Sequence, residues 1–167
     1  MICPKCGFAA YTIDFKVFSI DLDIVKKAIK EAEKFSGRIA TEFNAGDGYI
    51  VIAKYLKSQI SKESLIFVFL QAIYAYRELG DQKLDESRKL TLKTVEEVLD
   101  KELYKENPEE LYLYLAGELH RLLGNNEKSL KYFKEALEKA EKTSRISKIT
   151  QQQLTKPSEI LPEELFK

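Results

Sequence analysis

The first residues able to do chemistry are Cys3 and Cys6, set in Cys3-Pro4-Lys5-Cys6-Gly7. Two thiolates two residues apart can grip one metal ion, and the glycine lets the turn close around it. In a reducing compartment this spacing marks metal or redox ligands more often than a structural disulfide. Thiol–disulfide exchange asks for a pair at a helix N-terminus, where the thiol pKa falls. Here a proline, a glycine and then an extended stretch surround the pair, so the context predicts a zinc knuckle. A structural zinc site takes four ligands, yet the 167 residues include only two cysteines. One chain alone is therefore expected to hold no tight zinc and to carry no cofactor. The pair can complete a site only with another chain or a missing segment. A four-cysteine site shared by two copies, and with it a homodimer, is the next alternative.

Other chemistry is thinner. His120 is the single histidine, and its place in a helical packing pattern favours a core role over a ligand or general base. Gly46-Asp47-Gly48 lacks the spacing of a phosphate loop. Glu96, Glu97, Glu109 and Glu110 read as solvated helix-surface charges. No Ser/His/Asp or Cys/His set can be assembled, so the chain is expected not to be an enzyme.

The elements that must position these residues are helical. Hydrophobic residues make up 44% and charged residues 32%, and 27 basic residues balance 27 acidic ones. Zero net charge speaks against nucleic acid and anionic membrane as partners. The longest apolar run, Leu65 to Leu70, falls far short of the roughly 18 residues a membrane span needs. With no signal-like start, a cytoplasmic location is expected. Abundant Glu and Lys, one Met and no Trp fit a heat-loving source.

Residues 1–20 form a half-knuckle and extended stub, with Tyr11, Ile13, Phe15 and Val17 alternating as in a strand. Helices are predicted from Leu22 to Phe35, capped by Asp21 and closed by Gly37, and then from Tyr49 to Gln59 after a loop at Asn44–Gly48. Further helices run from Ser61 to Leu79, Gln82 to Tyr104, Pro108 to Leu123 and Glu127 to Thr143. Residues 144–167, with three glutamines and two prolines, read as a mobile tail with a short turn at Glu163 to Phe166. The expectation is an all-α antiparallel bundle of about six helices, its helical domain spanning residues 21–143.

Two stretches echo each other: Tyr76-Arg77-Glu78-Leu79-Gly80-Asp81 and His120-Arg121-Leu122-Leu123-Gly124-Asn125. The second, over about residues 110 to 143, resembles a tetratricopeptide repeat. Leu113, Ala116, Gly117 and His120 fall on its first helix, and Ser129, Phe133 and Ala136 on its second. Glu141 stands where the repeat ends in proline. The first copy is looser: Phe69, Ala72 and Tyr76 fit, while Ile73 replaces the glycine. In this register Phe67, Leu70, Tyr74 and Arg77 line an inner face in the first copy, and Tyr114, Glu118 and Arg121 in the second. Aromatic and arginine side chains on such a face are anchors for a peptide. The expected role is therefore a non-enzymatic interaction module that offers a helical groove to a protein or peptide.

Cys3-Pro4-Lys5-Cys6-Gly7-Phe8-Ala9-Ala10, followed by Asp14-Phe15 and a repeat-like helical half, resembles a bacterial family catalogued as domain of unknown function 2225. The resemblance implies a zinc-ribbon-like head with two C-x-x-C knuckles, joined to tetratricopeptide-like helices. This chain matches the second knuckle, C-P-x-C-G-[YF]-A-A, and looks like a member without the first. The resemblance implies no activity.

Overall fold

Capping chemistry written in the sequence sets where the helices begin and end. The structure, a computed structural model, describes residues 2–10 and 21–157. The strand predicted at Tyr11 to Val17 and the turn at Glu163 to Phe166 lie outside the described residues. Helix α1, Leu22–Ser36, starts where the Asp21 carboxylate accepts the backbone N–H groups of Asp23 and Ile24. It stops at Gly37, whose φ of 73° is the left-handed cap that glycine adopts without strain. A 3-10 turn, Ala40–Glu42, follows. Then come α2 Ala45–Leu56, α3 Lys62–Glu78, α4 Leu84–Asp100, α5 Glu109–Leu122, α6 Asn126–Lys139 and α7 Arg145–Thr155. Among the described residues the fold is all-α, with one isolated antiparallel bridge between Ile2 and Ala9.

The chain divides into two compact units, Met1–Ser87 and Arg88–Lys167, the boundary falling inside α4. In the first, α1 packs on α2 and α2 on α3. Val25, Ala28 and Ala32 of α1, Ile50, Val51 and Ala53 of α2, and Ile66, Phe69 and Ala72 of α3 are the buried apolar side chains of this core. Gly46, at the start of α2, lies against the ring of Tyr76, near the end of α3, so the two helices run antiparallel. Phe8, Ala9 and Ala10 are buried in the same unit. The N-terminal segment is thus part of the core, and the burial of Phe8 alone stabilises by roughly 1.5–3 kcal/mol.

In the second unit α5, α6 and α7 pack together. Leu113, Tyr114, Phe133, Ala136 and Ile149 form its core, with Ile146 and Leu154 packed against it. A β-carbon at Gly117 would stand 2.6 Å from Phe133 Cδ1, so this glycine sets the closeness of α5 and α6. Glu109 at the start of α5 pairs with Lys139 at the end of α6, which makes this hairpin antiparallel too.

Two differences from the sequence reading have clear causes. First, Asn44–Gly48 is not a loop. The Asn44 side chain accepts the Asp47 N–H at 3.1 Å and the Asp47 carboxylate accepts the Asn44 N–H at 2.9 Å. That reciprocal cap starts α2 four residues early in spite of two glycines. Second, residues 145–155 of the expected tail are helical. Ser144 caps α7 by accepting the Ser147 N–H at 3.2 Å. Ile146, Ile149 and Leu154 then recur on one face, and glutamines are good helix formers.

Candidate functional site

The Cys3–Cys6 turn is a tight hairpin. Cys3 N–H donates to the Phe8 carbonyl at 2.7 Å, and Gly7 N–H donates to the Cys3 carbonyl at 2.9 Å. Gly7 has φ 71°, and a β-carbon there would stand 2.5 Å from that of Ala40. The hairpin is seated on three further contacts. Ile2 lies over Gly48, Phe8 meets Tyr55 edge-on with ring centroids 5.5 Å apart, and Ala9 is fully buried. Cys6 is exposed and Cys3 partly so, both as free thiols. The backbone N–H groups of Lys5 and then Cys6 hydrogen-bond the Cys3 sulfur and hold its pKa below the ordinary thiol value, with the Lys5 charge adding to the effect. The pair lies on a hairpin turn rather than at a helix N-terminus.

Among the described residues no group of three or more His, Cys, Asp or Glu side chains gathers anywhere. Two thiols therefore do not make a tetrahedral zinc site within them. His120 does not join the pair. It is buried in the second unit, stacked on Tyr132 with centroids 5.5 Å apart, and its Nε2 lies 3.2 Å from Glu96 Oε1.

The expected groove residues fall in both units. On α3, Tyr74 is 56% exposed and Phe67 38% exposed, with Leu70 and Arg77 half-buried beside them. The Arg77 guanidinium lies over the Tyr74 ring, 5.1 Å from its centroid, and reaches Glu78 at 3.2 Å. Phe67 also borders a groove lined by Tyr49, Leu56, Ile60, Ser64, Val68 and Gln71. On α5 the picture is different. Tyr114 belongs to the core, 7% exposed and stacked on Phe133 at 5.9 Å, because its position on α5 turns it toward α6. Glu118 and Arg121 form a two-pronged pair at 2.9 and 2.7 Å. The carboxylates read as solvated are engaged as well: Glu97 with Lys101 at 2.7 Å, and Glu109 with Lys139.

A polar cluster in the first unit went unread in the sequence. Asp47 is fully buried. Arg38 Nη1 donates to both of its carboxylate oxygens at 3.1 Å, and the Tyr76 hydroxyl donates to Oδ1 at 2.7 Å. Arg38 Nη2 and Asn44 Nδ2 also donate to Asp81 Oδ2, at 2.5 and 2.8 Å. Asp81 Oδ1 in turn takes the Lys83 N–H at 2.8 Å. Burial first, then the hydrogen bond to Asp47 and its charge, drives the Tyr76 pKa far above that of a free phenol. The two aspartates raise that of Arg38 against the opposing cost of burial. Every oxygen of Asp47 is spoken for, so the cluster locks the α1 end, α2 and α3 together rather than presenting a reactive group. The Asn44/Asp47 spacing was the one signal that could have found it.

The family model described as "Uncharacterized protein conserved in bacteria (DUF2225)" matches residues 1–156. No curated protein and no solved structure matches the chain.

Proposed function

The chain belongs to the bacterial family DUF2225, and from that premise we propose that it is a non-enzymatic module that binds a protein or peptide. The observation that carries this reading is the outward stripe of α3, where Tyr74 and Phe67 stand exposed next to the groove between α2 and α3. Phe67, Leu70, Tyr74 and Arg77 recur at three- and four-residue steps, so they share one face of the helix. Aromatic and arginine side chains are the usual anchors of a protein contact. The chemistry suits a peptide that sets an apolar side chain beside Phe67 and a carboxylate near Arg77. Tyr114 is out of reach in its core, and Glu118 and Arg121 satisfy each other. The site is therefore narrower than the sequence suggested and lies on α3. The α5/α6 hairpin, closed by Gly117 against Phe133, supports a tetratricopeptide-like reading of that half.

Peptides selected from a display library on the purified chain test this, with binding then measured by calorimetry. Phe67→Ala combined with Tyr74→Ala is expected to weaken the selected peptide at least about tenfold, the loss of one good anchor. The melting temperature should stay within a few degrees, since both rings are exposed. Unchanged affinity in the double variant removes the α3 face from the proposal.

A further inference from the structure

Helix α1 carries a strongly charged face, apart from the stripe on α3. Asp23, Lys26, Lys27, Lys30 and Lys34 fall within about 100° of its circumference, and all are exposed. The opposite side, with Val25, Ala28 and Ala32, is the buried one. Four lysines thus share that face with a single aspartate, which Lys26 claims at 3.7 Å. The two glutamates of the helix are engaged at its flanks. Glu31 meets Lys54 at 3.4 Å, and Glu33 accepts the Ala40 N–H at 3.0 Å. Among the described residues Lys27, Lys30 and Lys34 therefore have no acidic partner. We propose that this face docks an acidic helix of a protein partner, one that carries a carboxylate at every fourth residue.

Spacing and charge favour that occupant. Lys26, Lys30 and Lys34 recur about every 6 Å along the axis. Carboxylates four apart on a second helix recur at the same step, so each meets one ammonium group. Like charges four apart destabilise a helix on its own, and a facing row of carboxylates turns that cost into attraction. Exposed lysines elsewhere are balanced within the fold: on α6, Lys131 meets Glu135 and Lys139 meets Glu109. Asp23, Lys26, Lys27, Lys30, Glu31 and Lys34 also border one open depression, where the aliphatic lysine stems give a partner helix apolar footing.

Other polyanions fit this face less well. It holds no aromatic ring on which a nucleic-acid base could stack. The apolar side of α1 is committed to the core, so the helix cannot lay that side into an anionic membrane.

The probe is a labelled helical peptide with glutamate at every fourth position, its binding to the 167-residue chain read by fluorescence anisotropy. Lys27→Gln, Lys30→Gln and Lys34→Gln together should weaken the complex about tenfold, with circular dichroism unchanged. Raising the salt from about 50 to 200 mM should weaken binding to the native chain and hardly alter that of the triple variant. A peptide of the same composition with its glutamates in one block should bind several-fold more weakly. Phe67→Ala with Tyr74→Ala should leave the probe's affinity unchanged, so the α1 and α3 faces stand or fall separately. No binding of the probe, equal binding by the triple variant, or equal affinity for the two peptides overturns the proposal. So does a loss of binding in the Phe67/Tyr74 variant, or tighter binding of single-stranded DNA or phosphatidylserine vesicles than of the probe.

Discussion

The two helical hairpins solve the same packing problem with different chemistry. In α5/α6 a glycine lets the two backbones close on the ring of Phe133; in α2/α3 a glycine lets them close on the ring of Tyr76. The first contact is apolar, and Phe133 stacks on Tyr114. The second carries a hydroxyl that reaches Asp47, and through Asp47 it engages Arg38 and, beyond it, Asp81. An apolar ring only needs to fit. A tyrosine ring held at its far end also fixes the angle at which the helices meet. Close approach is thus a matter of volume in one hairpin and of volume plus a saturated buried charge in the other.

The largest break in this comparison comes from Asp47→Ala. It leaves Arg38, the Tyr76 hydroxyl and the Asn44 N–H facing a hole. Breaking a buried pair by removing one partner costs about 3–5 kcal/mol. Hydrogen-exchange protection should collapse along α2 and α3 and persist in α5 and α6. Equal loss in both hairpins would mean that the cluster does not act where it sits.

Glycine substitutions sharpen the contrast. A β-carbon at Gly46 would press into the ring of Tyr76, and one at Gly117 would stand 2.6 Å from Phe133 Cδ1. Overpacking of this kind costs roughly 1–3 kcal/mol. Gly46→Ala is expected to cost more than Gly117→Ala in urea unfolding, because Tyr76 is tethered and cannot slide aside. The reverse order would show that the tether does not stiffen the contact.

The smallest effect is alkaline. Tyr76 and Tyr114 both have folded-state pKa values raised above the ordinary 10.0, burial being the first cause in each. A raised pKa favours the protonated phenol in the native state, so its contribution is complete below pH 10 and is lost as pH rises above it. About one pH unit higher, each tyrosine should have removed on the order of 1 kcal/mol. Tyr76→Phe should flatten the alkaline limb for the α2/α3 amides, and Tyr114→Phe for the α5/α6 amides. A limb unchanged by both variants would place the alkaline transition elsewhere.

The sequence announced the elements far better than it announced the cluster. Asp21, Gly37, Ser61 and Pro108 are local signals, and the helix ends fall within a residue or two of them. Gly117, Phe133 and Ala136 were legible because repeat-like spacing ties them to one face. The Asp47 cluster was not, since Arg38 and Asp81 lie 43 positions apart and no local pattern joins them. Two glycines beside Asp47 suggested a breaker, while the capping signal at Asn44 and Asp47 carried more weight in the fold. Helix α7 was hidden by polar glutamines whose neighbours Ile146, Ile149 and Leu154 supply the buried face. The α3 stripe was half legible. The spacing placed Phe67 and Tyr74 together, but only packing could show that Tyr114 turns inward.

The contact between Gly46 and Tyr76 also sets a clock. Rotation of a tyrosine ring about its Cβ–Cγ axis keeps the hydroxyl in place, so the bond to Asp47 need not break. The ring edges, however, must sweep through the space that the Gly46 backbone borders. Half-turns of the ring therefore wait for α2 and α3 to part briefly, a motion slower than the free spin of an exposed ring. In proton spectra the two edges of Tyr76 should give separate signals, while Tyr74 on the open face of α3 averages to one pair. The temperature at which the Tyr76 signals merge then reports how often this hairpin breathes.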